Sequence, residues 1–123
     1  FELEPFLDKK LSILSGGTKQ KVNIVIAFMF DNPLIILDEP TTGLDPVALI
    51  KLKELIQIEK QKGKTILVSS HIMQFVEEIA DEIVYLLEGK IYFKGSIAAL
   101  KEKTQQTNVE HAIAAIAKPV SHV

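Results

Sequence analysis

The sequence contains no cysteine, and its fourteen cationic side chains are all lysine, with no arginine among them. Without cysteine there are no disulfides and no thiolate chemistry, a composition that suits a reducing cytoplasm. Arginine is the usual bidentate partner of phosphate, so anion recognition here would rest on backbone amides, on lysine, or on groups outside this chain. No apolar run approaches the roughly 18 residues that mark a membrane-spanning helix. The opening FELEPFLDKK lacks the layout of a signal peptide, and the chain itself is expected to be soluble. A formal net charge of −2 gives no reason to expect nucleic acid or an anionic membrane surface as a partner. No internal repeat or low-complexity tract is present.

What is present is an ordinary globular composition, 47% hydrophobic and 24% charged, enough for one small packed domain in 123 residues. The stretch LIILDEPTTGLD organises it. Leu34, Ile35, Ile36 and Leu37 form an unbroken aliphatic run that predicts a strand buried on both faces, as in a parallel sheet covered by helices. The run stops at Asp38 and Glu39, which places two adjacent carboxylates at the strand's carboxyl end, where open α/β sheets bind ligands. Pro40 and Gly43 mark the continuation as a loop. One acid could hold a cation while its neighbour activates a water; a solvated acidic turn at the end of an ordinary strand fits the same letters.

Ahead of this stretch, LSGGTKQKVNIVIAFMF predicts a helix over residues 18–30, with Ser15 as a possible N-cap and Asp31-Asn32-Pro33 as its stop. Gly16 and Gly17 would leave N–H groups at a helix N-terminus, where orphan donors and the helix dipole favour a phosphate; a simple capped turn fits equally. The body from Val22 to Phe30 is apolar nearly all round, which predicts burial. Beyond the loop, Asp45 caps and Pro46 opens another helix, with Leu49, Leu52, Leu55 and Ile56 as its core stripe and Gly63 as its end. A second strand over residues 65–68 runs into Ser69-Ser70-His71, again placing polar groups at a carboxyl end. His71 could serve a site there or be an unremarkable surface histidine. A helix over residues 73–80 follows, with Met73, Val76, Ile79 and Ala80 facing the sheet. A hairpin comes next, of strands 83–87 and 91–94 about Glu88-Gly89-Lys90. Short helices over residues 97–103 and, capped by Asn108, 109–117 complete the reading, with a loosely ordered tail after them.

Taken together, Leu14 to Gln20 (LSGGTKQ), Leu34 to Pro40 (LIILDEP), Thr42 to Pro46 (TGLDP) and Ser69-Ser70-His71 resemble the signature motif, Walker B motif, D-loop and H-loop of ABC-type ATPases, in the family's order and at about its spacing. The resemblance covers Leu14 to Ser96, and LSGGTKQK looks most like ATPases of the ABC-2 exporter group. It implies an α/β fold, part of a P-loop NTPase (RecA-like) core with parallel strands sandwiched by helices. It implies ATP and Mg²⁺ as cofactors, with Asp38 holding Mg²⁺ through water, Glu39 polarising the attacking water and His71 contacting the γ-phosphate. Ser15, Gly16 and Gly17, with Thr18 and Gln20 behind them, would contact a nucleotide bound mainly by the opposite subunit, and Asp45 would lie at the dimer seam. The implied partners are a second ATPase subunit and a transmembrane permease, with no nucleic acid. The implied place is the cytoplasmic face of the membrane, reached through the permease.

Two departures from the family pattern are mild: Thr18 stands where Gln is usual, and Lys21 where Arg is common. A third is large. No G-x-x-x-x-G-K-[ST] occurs, so the phosphate loop with its lysine and Mg²⁺-binding hydroxyl is lacking, as are the glutamine loop and the adenine-stacking aromatic. Residues 1–103 are therefore expected to be the C-terminal part of an ABC ATPase domain, and 104–123 an extension with a short helix. The phosphate-loop strand would lie between the His71 and Ile83 strands, and its absence would leave strand edges open to another chain. The expected function is the ATP-binding and ATP-hydrolysing component of an ABC transporter, inactive as this chain alone. The alternative is a soluble ABC ATPase acting on nucleic acid or ribosomes.

Overall fold

The computed structural model describes residues 16–117 together with Phe1, Leu3 and Pro5. The expectations for Ser15 and for the tail fall outside the described residues. The chain has an α/β architecture, and its contacts divide it into two compact units, Phe1–His71 and Ile72–Val123.

In the first unit the order is α1 (Gly16–Met29), β1 (Leu34–Asp38), α2 (Pro46–Gln61) and β2 (Thr65–Ser69). The strands pair in parallel, from Leu34 opposite Thr65 to Asp38 opposite Ser69. Parallel pairing requires a crossover, which α2 supplies. Asp45 caps α2 by accepting the Ala48 N–H at 2.8 Å, Pro46 occupies its first turn, and Gly63 takes a left-handed φ of 85° just past its end. Helix α1 packs on β1 and α2 on β2. Ile24, Ile35, Leu37, Ala48, Leu52 and Ile56 are buried, so the core lies on one face of the strand pair.

Two expectations are corrected here. The first strand is not buried on both faces: Ile35 and Leu37 are 3% and 5% exposed, whereas Leu34 and Ile36 are 49% and 62% exposed. A strand's side chains alternate between faces, and no helix among the described residues covers the face that carries Leu34, Ile36 and their neighbour Leu67. Helix α1 is not buried all round either. Ile24 is buried, but Ile26, Met29 and Phe30 are exposed, because only the side turned to β1 finds a partner.

The second unit holds α3 (Met73–Ile79), β3 (Glu82–Leu87), β4 (Lys90–Ser96), α4 (Ile97–Thr104) and α5 (Val109–Ala117). Strands β3 and β4 form an antiparallel hairpin whose two turn residues, Glu88 and Gly89, both have positive φ. That is the backbone a right-twisted two-residue hairpin demands. Ser96 caps α4 and Asn108 accepts the His111 N–H at 2.8 Å at the start of α5. Phe93, Leu100, Val109 and Ala112 form this unit's core. Phe75, which the expected stripe of α3 omitted, is buried at 2% exposure, while Met73 and Val76 are half-buried.

Past the end of α2, Lys64 lies 2.7 Å from Asp31 and 2.5 Å from the buried Glu59, and Lys62 reaches Glu59 at 3.2 Å. The hydrogen bond from Lys64 is the main reason that both carboxyls titrate below their usual range, and Asp31 and Glu59 in turn raise Lys64. The carboxylates' contribution to stability is therefore present above about pH 4 and is lost as pH falls through their depressed folded values. The contribution of Lys64 is present below about pH 10.4 and is lost as pH rises through its raised folded value. Lys64→Met is expected to lower the urea midpoint at pH 7, by a margin that shrinks as the pH drops below about 4. An unchanged midpoint at neutral pH would show that the cluster contributes nothing.

Candidate functional site

The site grows from the last rung of the parallel ladder. Because Asp38 pairs with Ser69, the ends of β1 and β2 lie side by side. The Ser69 hydroxyl donates to Asp38 Oδ1. Glu39 then leaves the strand with φ 47°, a left-handed conformation that costs a residue with a Cβ about 1 kcal/mol or more. Its N–H donates to the Ser69 carbonyl at 2.9 Å and lies 3.2 Å from the Ser69 hydroxyl. Two residues past β2, His71 Nδ1 is 2.9 Å from Glu39 Oε2. The ring donates to the carboxylate when that nitrogen carries the proton. Both groups face solvent, with side chains 74% exposed for His71 and 37% for Glu39.

The loop after Glu39 is closely specified. Thr42 N–H donates to the Glu39 carbonyl at 3.3 Å, Leu44 N–H to that of Thr41 at 3.2 Å, and Gly43 has φ 74°. This loop lies against the opening turn of α1: a Cβ on Gly17 would stand 2.8 Å from the Gly43 carbonyl oxygen, so only glycine permits the approach. Gln20, one turn into α1, donates from Nε2 to the Glu39 carbonyl at 3.0 Å. Lys21 lies 3.6 Å from Asp45, whose carboxyl titrates below its usual range chiefly because it accepts the Ala48 N–H and secondarily because of Lys21.

The structure thus gathers Asp38, Glu39 and His71 at the carboxyl edge of the strand pair. It places Gly16, Gly17, Thr18 and Gln20 on the first turns of α1, alongside the Glu39–Gly43 loop. Thr18 is buried, and Gln20 is turned to the loop's backbone. Asp45 stands at the start of α2, and Ser15 is outside the described residues. Ser69 is the residue that motif reading passed over as a functional group. The register signals it, since the residue opposite Asp38 at a strand's end must reach the same edge.

Chemically, the edge offers a carboxylate oxygen and a hydroxyl at Asp38 and Ser69, and an exposed carboxylate bonded to an imidazole at Glu39 and His71. Among the described residues no group of three or more His, Cys, Asp or Glu could enclose a metal. An oxygen set with one carboxylate fits Mg²⁺, which keeps most of its waters and shares a site with substrate phosphates.

Residues 10–77 match the family model described as "AAA domain, putative AbiEii toxin, Type IV TA system". The ABC transporter ATP-binding protein NatA of Bacillus subtilis (strain 168) is 33% identical over 111 residues, which make up 90% of this chain and 45% of NatA. A solved structure of the ATP-binding subunit of an ABC transporter superposes with a TM-score of 0.90 at 36% identity, over 96% of this chain and 50% of that one. A dimeric ATP-binding cassette in a post-hydrolysis state, bound to ADP and Pi, gives 0.70 at 30% identity, over 76% of this chain and 40% of the cassette. The chain spans about half the length of the relatives it matches.

The close approach at Gly17 yields a direct test. Gly17→Ala would drive a methyl against a backbone oxygen and is expected to destabilise by about 1–3 kcal/mol, as overpacking does. At Gly16 a Cβ would meet nothing within 4 Å, so Gly16→Ala is expected to be neutral or slightly stabilising. Equal melting temperatures for the two variants would contradict the α1–loop packing.

Proposed function

The chain belongs to the AAA domain family and to the ATP-binding domains of ABC transporters, and from that membership we propose that it supplies one half of an ATP-hydrolysing site. The observation that carries the reading is the Asp38–Ser69 and Glu39–His71 pairing at the carboxyl edge of a parallel strand pair. In this proposal Asp38, steadied by Ser69, would hold Mg²⁺, which when bound would supply charge to offset the nucleotide's phosphates. Glu39 accepts a hydrogen bond from the water aimed at the γ-phosphate and so polarises it. His71, oriented by Glu39, donates to that phosphate. Phosphoryl transfer needs positioning and charge neutralisation more than covalent chemistry, which suits an edge built of hydrogen-bonding groups rather than a nucleophile.

The rest of the site comes from elsewhere. The phosphate-cradling loop lies outside these 123 residues, since the sequence contains no G-x-x-x-x-G-K-[ST]. The opening turn of α1 serves a nucleotide held by a second copy, with Ser15 and the Gly16 and Gly17 amides toward its γ-phosphate, Thr18 and Gln20 behind them, and Asp45 at the seam. That a cassette to which this chain is similar is dimeric and bound to ADP and Pi supports a pairing of two copies. Hydrolysis is then conditional on dimer closure, and a membrane-embedded permease that rides on the pair takes up the movement. The protein works at the cytoplasmic face of the membrane through that permease; no helix among the described residues is itself long and apolar enough to cross it. The LSGGTKQK signature supports placement with the ABC-2 exporter group.

This chain purified alone is expected to show no sustained ATPase activity. The full-length ATPase that contains it should hydrolyse Mg-ATP, and Glu39→Gln should slow it by at least about a hundredfold, the scale of a lost general base. Turnover by the 123-residue chain alone, abolished by Glu39→Gln, would contradict the half-site.

A further inference from the structure

Gln20 does something in this structure that a nucleotide contact does not explain. Its side-chain amide donates at 3.0 Å to the carbonyl of Glu39, nineteen residues away and in a different element. Glu39 is one of three residues other than glycine with positive φ among those described, and it alone of the three stands at the candidate site. A left-handed backbone at a residue with a Cβ persists only when its surroundings over-determine it. Here the two peptide groups flanking the Glu39 Cα are both held. The preceding one is fixed through its N–H to the Ser69 carbonyl at 2.9 Å, and the following one through its carbonyl, which accepts from Gln20 at 3.0 Å and from Thr42 at the longer distance of 3.3 Å. With both peptides fixed, the Cα–Cβ direction is fixed, and so is the reach of the carboxylate toward His71 at 2.9 Å.

We propose that Gln20 is a positioning residue for Glu39: it fastens α1 to the carbonyl of the base and holds the carboxylate in its hydrolytic orientation. The proposal rests on the reading of Glu39 as the residue that polarises the attacking water. It gives α1 two duties in one subunit. The first turn, at Gly16 and Gly17, faces the nucleotide of the other copy, and the second turn, through Gln20, sets the base that acts on its own. A tilt of α1 is therefore carried to the Glu39 backbone by this hydrogen bond.

The test uses the full-length dimeric ATPase with two variants, Gln20→Met, which keeps length and removes the donor, and Gln20→Glu, which keeps polarity and removes it. Both are expected to lower kcat between about tenfold and a hundredfold, the scale of a modest misplacement of a reacting group. KM for ATP and the ATP concentration that half-saturates dimerisation should stay within about twofold of the parent, as expected when only the transition-state interaction is lost. Amide hydrogen exchange at Thr42 and Leu44 should quicken in both variants, an effect a nucleotide contact would not produce without nucleotide. Parental kcat in a folded variant would overturn the proposal, and so would a loss confined to KM or to ATP-driven dimerisation, which would return Gln20 to nucleotide binding. If Glu39→Gln left the parent's turnover intact, the underlying reading of Glu39 would fail instead, a result distinguishable from either.

Discussion

The parallel ladder between β1 and β2 is the constraint on which the site depends. Its register sets Asp38 opposite Ser69, so a hydroxyl and a carboxylate from segments thirty-one residues apart meet at one edge. From that rung the chain leaves in two directions, and each departure delivers one reactive group. Glu39 turns out through a left-handed step and His71 follows two residues after the end of β2, and the two side chains meet at 2.9 Å. A slip of one residue in register would send Asp38 to the opposite face, since strand side chains alternate. The buried pair Ile35 and Leu37 guards against that slip, because the same slip would exchange them with the exposed Leu34 and Ile36.

Much of this was legible in the letters. An aliphatic run ending in Asp38-Glu39, a second ending in Ser69-Ser70-His71, and an Asp45-Pro46 cap each have a local physical reason, and each stands where that reason puts it. Asn108 behaves in the same way at the start of α5. The failures share a cause. An aliphatic run records how apolar a strand is but not whether a partner lies on each face, and so Leu34–Leu37 and the body of α1 were read as more buried than they are. Phe75 was missed because a stripe through Met73, Val76 and Ile79 fits seven residues as well as the face that is buried.

The roles of Ser69 and Gln20 lay beyond pattern reading for a different reason. A hydrogen bond across nineteen or thirty-one residues depends on the register and on the packing of a helix against a loop, and neither is a property of a local window. The left-handed Glu39 is similar. Glycine advertises a positive φ in sequence, as Gly43, Gly63 and Gly89 do, whereas a glutamate held there by its neighbours does not. Strain of this kind gathers at functional positions, where pre-organisation is worth its cost in stability.

We propose that Asp38, Glu39 and His71 of one copy and the opening turn of α1 of another close on a single nucleotide. The most direct measurement is a crystal structure of the full-length Glu39→Gln ATPase with Mg-ATP. The account expects a symmetric dimer with each γ-phosphate between His71 of one protomer and the Gly16 and Gly17 amides of its partner, the Mg²⁺ beside Asp38, and Gln20 still bonded to the backbone carbonyl of residue 39. A nucleotide enclosed by one protomer, with the partner's α1 turned away from it, would contradict the account.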